Sequence, residues 1–232
     1  MLKKILILII IGALIFIASG CESKGEESDK IPKEGSYSRC VEVEEKTPYN
    51  IVDSVELPYF DEDTIFEDAN LIFKGTVLDA KEIEIEEYVD GELNQTYHYD
   101  VFTFEIEKIY YSEDPSLEVG DVIKVANASC SYWWVDGTIK MEKDKKYIVL
   151  AIRSSKVSYT DFTKYYDYHV ENYWVPIIPV EGGNYYVDEM LTSLTGNAEE
   201  EITREDGSTV YVKGPELEDE LENLITETKS GG

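Results

Sequence analysis

A chain of 232 residues suits one medium domain, or one domain with an extension, and can bury a proper core. Its 21 Lys and Arg face 49 Asp and Glu, a formal net charge of −28 at pH 7. That balance excludes nucleic acid as a partner, since such affinity rests on basic side chains neutralising phosphates, and it excludes electrostatic docking on anionic lipid. An apolar content of 43% excludes wholesale disorder, and Tyr, with 18 copies, dominates the aromatics.

The chain opens with Lys3 and Lys4, then an apolar run from Ile5 to Ile17 broken only by Gly12, then Ala18-Ser19-Gly20. A positive segment, a greasy segment and small residues make up a secretory signal. The greasy part is shorter than the roughly 20 residues a bilayer span needs, and the competing reading is an uncleaved anchor helix. Ala18-Ser19-Gly20-Cys21 resembles the lipobox of bacterial prolipoproteins, where small residues precede a lipid-accepting cysteine. The chain departs from that family in carrying Ala18 where Leu is preferred. The resemblance implies that residues 1–20 are removed and that Cys21 becomes the first mature residue. It also implies a diacylglyceryl group on the Cys21 sulfur and residence outside the cytoplasm, on the cell membrane. Two acyl chains at about 0.8 kcal/mol per buried CH₂ anchor stably, whereas one holds marginally.

Residues 21–36 are polar, charged and without apolar periodicity, the composition of a flexible tether. As a random coil this segment spans roughly 20 Å. Asp61-Glu62-Asp63 then precedes Ile65 to Asn70, a short helix capped by the acidic turn. From Leu71 the pattern alternates, with Leu71, Phe73, Val77, Ile83 and Ile85 against Lys74, Thr76, Glu82, Glu84 and Glu86: a strand with one solvated face. Asp90-Gly91 marks a turn, and Tyr99 to Tyr110 is a second strand with Phe102, Phe104 and Ile106 on one face. Gly120-Asp121 opens a third strand, Val122 to Ala126. Asp136-Gly137 signals a hairpin between Tyr132–Val135 and Thr138–Met141. Tyr147 to Ile152 is continuously apolar, as in a strand covered on both faces.

The order Ala69-Asn70-Leu71-Ile72-Phe73-Lys74-Gly75-Thr76-Val77, then Phe102 to Tyr110, Gly120-Asp121 and Lys145 to Leu150 resembles the OB-like barrels of the netrin and tissue-inhibitor-of-metalloprotease type. A strand with a Gly-x-Val element, a long second strand and a late Tyr-apolar strand close that barrel. The resemblance covers residues 69–152 and implies the fold. It does not carry the inhibition, because those inhibitors chelate zinc through a cysteine amine at the barrel head, where this chain has Ala69.

Beyond Arg153 the chain is Tyr-rich, and Val175-Pro176-Ile177-Ile178-Pro179 is expected to be an edge strand, since Pro cannot donate to a ladder. Gly182-Gly183 suggests a boundary, Tyr185–Val187 pairs with Thr209–Val212, and Gly214-Pro215 starts a helix with Leu217, Leu221, Leu224 and Ile225 on one face.

No familiar catalytic, phosphate-binding or zinc-binding motif occurs. The two histidines, His98 and His169, lack metal-ligand spacing. Glu82, Glu84, Glu86 and Glu87, like Asp61-Glu62-Asp63, have the chemistry for Ca²⁺ without its loop spacing, and are expected to be solvated. Cys40 and Cys130 either form a disulfide, favoured outside the cytoplasm, or remain separate thiols. Trp133 and Trp134 point to opposite faces of any strand. With Tyr132 they either form an exposed aromatic patch suited to sugars or a peptide, or belong to a second core layer.

The expected protein is mainly β: an OB-like antiparallel barrel over residues 37–180, and an α+β extension over 181–232 with an amphipathic helix. The expected function is a non-enzymatic interaction module on the membrane, held through lipid on Cys21, with a protein or an envelope glycan as partner and with no cofactor or metal. Its rivals are glycan or small-ligand binding through Tyr132, Trp133 and Trp134, and an enzyme whose paired carboxylates leave no contiguous signature.

Overall fold

The structure, a computed structural model, describes residues 31–43, 50–52, 66–127, 133–135, 139, 141–170, 177–187, 191–192, 195, 198, 200–203 and 209–230. The strands are β1 (Ser36–Glu42), β2 (Asn50–Val52), β3 (Leu71–Val89), β4 (Glu92–Ser112), β5 (Val122–Asn127), β6 (Trp133–Val135) and β7 (Lys146–Arg153). Short β8 (Lys156–Val157), β9 (Thr160–Asp161) and a 3-10 turn (Phe162–Lys164) lead to β10 (Tyr168–Val170), β11 (Ile177–Glu181), β12 (Asn184–Val187), β13 (Glu200–Thr203) and β14 (Thr209–Lys213). Helix α1 (Glu216–Ser230) follows. The protein is mainly β, built on one ten-stranded sheet in the order β1-β3-β4-β5-β10-β7-β11-β12-β14-β13.

The frame is the β3–β4 hairpin. Its turn is Asp90-Gly91, with φ of 51° and 84°, flanked by the pair Val89 and Glu92. Two positive φ values define a type I′ turn, whose twist matches that of the strands, and Asp and Gly tolerate them best. β3 changes neighbours along its length. Leu71–Thr76 pairs with β7, and Ile83–Val89 pairs with β1. A register irregularity between Val77 and Asp79 marks the changeover, as β-bulges do when they bend a strand. β4 pairs with β5 antiparallel, β5 with β10 parallel, β10 with β7 antiparallel, and β7 with β3, so the pairings return to their start.

Side-chain alternation distributes the apolar residues over three cores. Leu71, Phe73, Phe102, Phe104, Ile106, Val125 and Val149 fill the first. Ile72, Ile148 and Leu150, on the other face of the same strands, pack with Leu217, Leu221 and Ile225 of α1. The continuous apolar run of β7 is thus explained: one half faces each core. A third core gathers Ile83, Ile85, Val101 and Ala126 under Phe162 and Tyr166, with Cys40 and Tyr97 against it.

Helix α1 carries its apolar stripe where the spacing predicts it, and β12 pairs with β14 as expected. Glu218 fastens the helix: Lys74 and Lys108 donate to its carboxylate at 2.5 and 2.7 Å, and the Tyr185 hydroxyl donates as well. Burial pushes this carboxyl up, but Lys108, Lys74 and Tyr185 outweigh it and hold it down at about 2. A depressed folded-state pKa stabilises above the unfolded value of 4.5, and the contribution fades as pH falls from there towards 2. Glu218→Gln is expected to cost about 1–2 kcal/mol at pH 7, allowing for partial exposure, with the difference from wild type closing near pH 2 in urea titrations.

Several expectations are corrected. Residues 66–70 form a turn and bend, not a helix; Phe66 and Ala69 are drawn into the second core. β6 pairs in parallel with β2, and the expected hairpin turn at Asp136-Gly137 lies outside the described residues. Ile139 and Met141 lie outside any strand, and both pack with the first core. β11 is not at the sheet's edge, as β7 and β12 flank it. Its pairing with β12 begins only at Val180, so Pro179 still has a ladder on one side alone. Gly182-Gly183, at φ 60° and 88°, makes the tight β11–β12 turn within the sheet.

Candidate functional site

A cavity of about 430 Å³ opens at the end of the hairpin opposite the Asp90-Gly91 turn. It is lined where β4 has ended, β5 begins, β7 ends and β10 begins: Asp114, Leu117, Asp121, Val122, Ile123, Arg153, Ser154, Thr163, Asp167 and Tyr168. Each acid is held by a backbone amide. Asp114 accepts from the Ser116 amide and hydroxyl at 3.0 and 2.6 Å. Asp121 accepts from the Glu118 amide at 2.8 Å, beside Gly120 at φ 95°. Asp167 accepts from the Lys124 amide at 2.8 Å, and its own amide donates to the Lys124 carbonyl. Short polar side chains bond nearby turn amides as Asp114 and Asp121 do, whereas Asp167 reaches across to the strand amide of Lys124 in β5.

Arg153 donates to Asp114 at 2.9 Å. Its hydrogen bond with the Tyr168 hydroxyl, then Asp114, raises the guanidinium's proton affinity. Ser116 and then Arg153 hold the Asp114 carboxyl below the usual range. Three aspartates against one arginine leave the lining two charges negative. Ser154 is buried, at 6% exposure, and its hydroxyl finds no hydrogen-bond partner. Val122, at 57% exposure, adds apolar surface at the rim.

Of the residues singled out from sequence, Cys21, Cys130 and Tyr132 lie outside the described residues, as do Asp61-Glu62-Asp63. Trp133 and Trp134 lie in β6, and their side chains also lie outside the description. Cys40 is disulfide-bonded. His98 sits with Nδ1 at 3.3 Å from Glu84, while burial pushes His169 down, towards the neutral form. Among the described residues no three His, Cys, Asp or Glu side chains gather as a metal site.

Glu87 departs from its neighbours. Glu82, Glu84 and Glu86 are part-exposed, but Glu87 is buried at 1% exposure. It accepts from Asn94 at 2.6 Å, the Thr160 hydroxyl at 2.7 Å and the Tyr159 amide at 3.3 Å, and so ties the β8–β9 hairpin to β3. The signal was parity: position 87 shares a face with Ile83 and Ile85, not with the even-numbered glutamates.

Acid–base chemistry favours a carboxyl raised by burial. Among the described residues the displaced carboxyls, Glu86, Glu107, Asp114, Asp161 and Glu218, all move down, as salt-bridged or capping groups do. The arrangement suits holding a ligand by charge and apolar contact. In class the chain is a mainly β protein with an acidic, partly apolar cavity at one end of its hairpin frame. Neither a family model nor a curated protein matches the chain.

Proposed function

We propose that this protein is a lipid-anchored, non-enzymatic binding module at the outer side of the cell membrane, with an OB-like barrel that carries its binding cavity away from the bilayer. The barrel is the closed circuit β3-β4-β5-β10-β7, with β5 and β10 parallel, and the C-terminal strands and α1 cover one of its sides. The anchor is diacylglyceryl Cys21, the tether runs from there to the start of β1 at Ser36, and the partner is a protein or an envelope glycan. With Cys21 lipidated, Cys130 is the cysteine left to bond Cys40.

One observation supports this orientation. The chain enters β1 beside the hairpin turn, where the Gly35 amide donates to Asp90 at 2.9 Å and the Asp90 amide donates back to the Gly35 carbonyl. The tether therefore meets the domain at the tip of the hairpin, and the cavity sits beyond the far end of β4. About twelve strand residues, from Glu92 to the Phe104–Ile123 pair at the cavity lining, separate the two by roughly 40 Å at about 3.3 Å each. No helix among the described residues is long and apolar enough to cross a membrane.

The test is depth. A fluorophore on Glu92→Cys, near the turn, should be quenched by nitroxide lipids more strongly than one on exposed Val119→Cys, near the cavity, when the lipidated protein sits in vesicles. Equal or reversed quenching would overturn the orientation.

A further inference from the structure

We propose that the cavity between Asp121, Asp167 and Ser154 binds a primary ammonium group carried on an aliphatic stem, as in a lysyl side chain or a free diamine. This deepens the binding reading above and does not depend on the lipid.

The cavity offers the two halves of such a ligand separate surroundings. Leu117, Val122 and Ile123 present apolar surface for a methylene stem. Asp121 and Asp167 present charge for its head. Each has one hydrogen bond, from a backbone amide, while an ionised carboxylate offers about four lone-pair sites. Arg153 and Asp114 satisfy one another at 2.9 Å, so the basic group does not cancel the other two acids.

Ser154 points independently to a ligand. A buried hydroxyl without a partner is unfavourable, and an ammonium in the cavity that Ser154 lines, with three donors, can supply one. A metal ion fits less well, because the described acids do not converge as a ligand set. The strongly negative chain favours the encounter with a cation.

The experiment titrates the full-length chain in detergent micelles with Nα-acetyl-lysine N-methylamide, 1,5-diaminopentane and the neutral isostere Nα-acetyl-norleucine N-methylamide. Saturable millimolar or tighter binding of the two ammonium probes, and none of the isostere, is expected. Tighter binding of the lysine probe assigns the source as peptide, and tighter binding of the diamine assigns a free amine. Asp121→Asn with Asp167→Asn keeps both amide-accepting oxygens and should weaken binding about tenfold, the scale of a lost charge-assisted bond in a partly open site. Ser154→Ala should weaken binding severalfold without lowering the melting temperature. No binding of either ammonium probe, equal binding of the isostere, or unchanged affinity in a folded double variant would overturn the proposal. Should the double variant unfold, the probe-against-isostere comparison on the wild type decides. Failure here leaves the lipid anchor standing, since that is read by mass.

Discussion

Replacing Gly75 with alanine should lower the unfolding free energy by about 3 kcal/mol, the upper part of the range for forcing atoms into a packed interior. Gly75 lies in β3 where the strand is bonded on both sides, opposite Ile106 of β4 and Tyr147 of β7. A Cβ built there meets the Glu105 carbonyl oxygen at 2.6 Å and the Phe73 ring at 3.0 Å. The oxygen belongs to backbone held in the ladder and cannot swing away as a flexible side chain would. The strand irregularity between Lys74 and Gly75 lies at this close approach, so the extra methyl strains β4 or reopens the β3–β7 seam. Urea unfolding of Gly75→Ala against wild type checks this. A loss below about 1 kcal/mol would mean that the ladder relaxes easily there.

Removing the disulfide at Cys40 should cost as much or more. With Cys130 as the partner proposed above, Cys40 would close a loop of about 90 residues, for which the chain-entropy model gives roughly 4–5 kcal/mol. Cys40 also packs against the third core beside Ile85, so Cys40→Ser loses some contact too. Cys40→Ser and Cys130→Ser should show nearly the same loss, and the double variant no more than either alone. Reductant should lower the wild type to the level of the variants and leave them unchanged. Unequal single variants would assign a different partner to Cys40.

Much of the frame was legible because it is local or strongly periodic. Asp90-Gly91 names its turn by the two residue types that best tolerate positive φ. The unbroken apolar run of β7 announces two covered faces, and Leu217, Leu221 and Ile225 repeat at helical spacing. Other pairings carry no such signal. β10 has three residues, too few to show a period, and its parallel partner β5 lies over forty residues earlier. β2 and β6 are as short and lie over eighty residues apart, so their parallel pairing carries no local signal either. The cavity was illegible for a related reason. Asp114, Asp121 and Asp167 each look like an ordinary turn residue, and only the insertion of β10 between β5 and β7 brings them to one place. The partnerless Ser154 hydroxyl has no sequence signature at all.

The chemistry of the three cysteines decides the account most directly, since Cys21 can carry lipid only if Cys40 takes its bond from Cys130. Mass analysis of the protein purified from its own cells, digested without reduction, reads both at once. The account predicts an N-terminal peptide that starts at Cys21 with a diacylglyceryl mass on it, together with a crosslinked pair containing Cys40 and Cys130. A peptide that retains Met1, or a crosslink between Cys21 and Cys40, would contradict it.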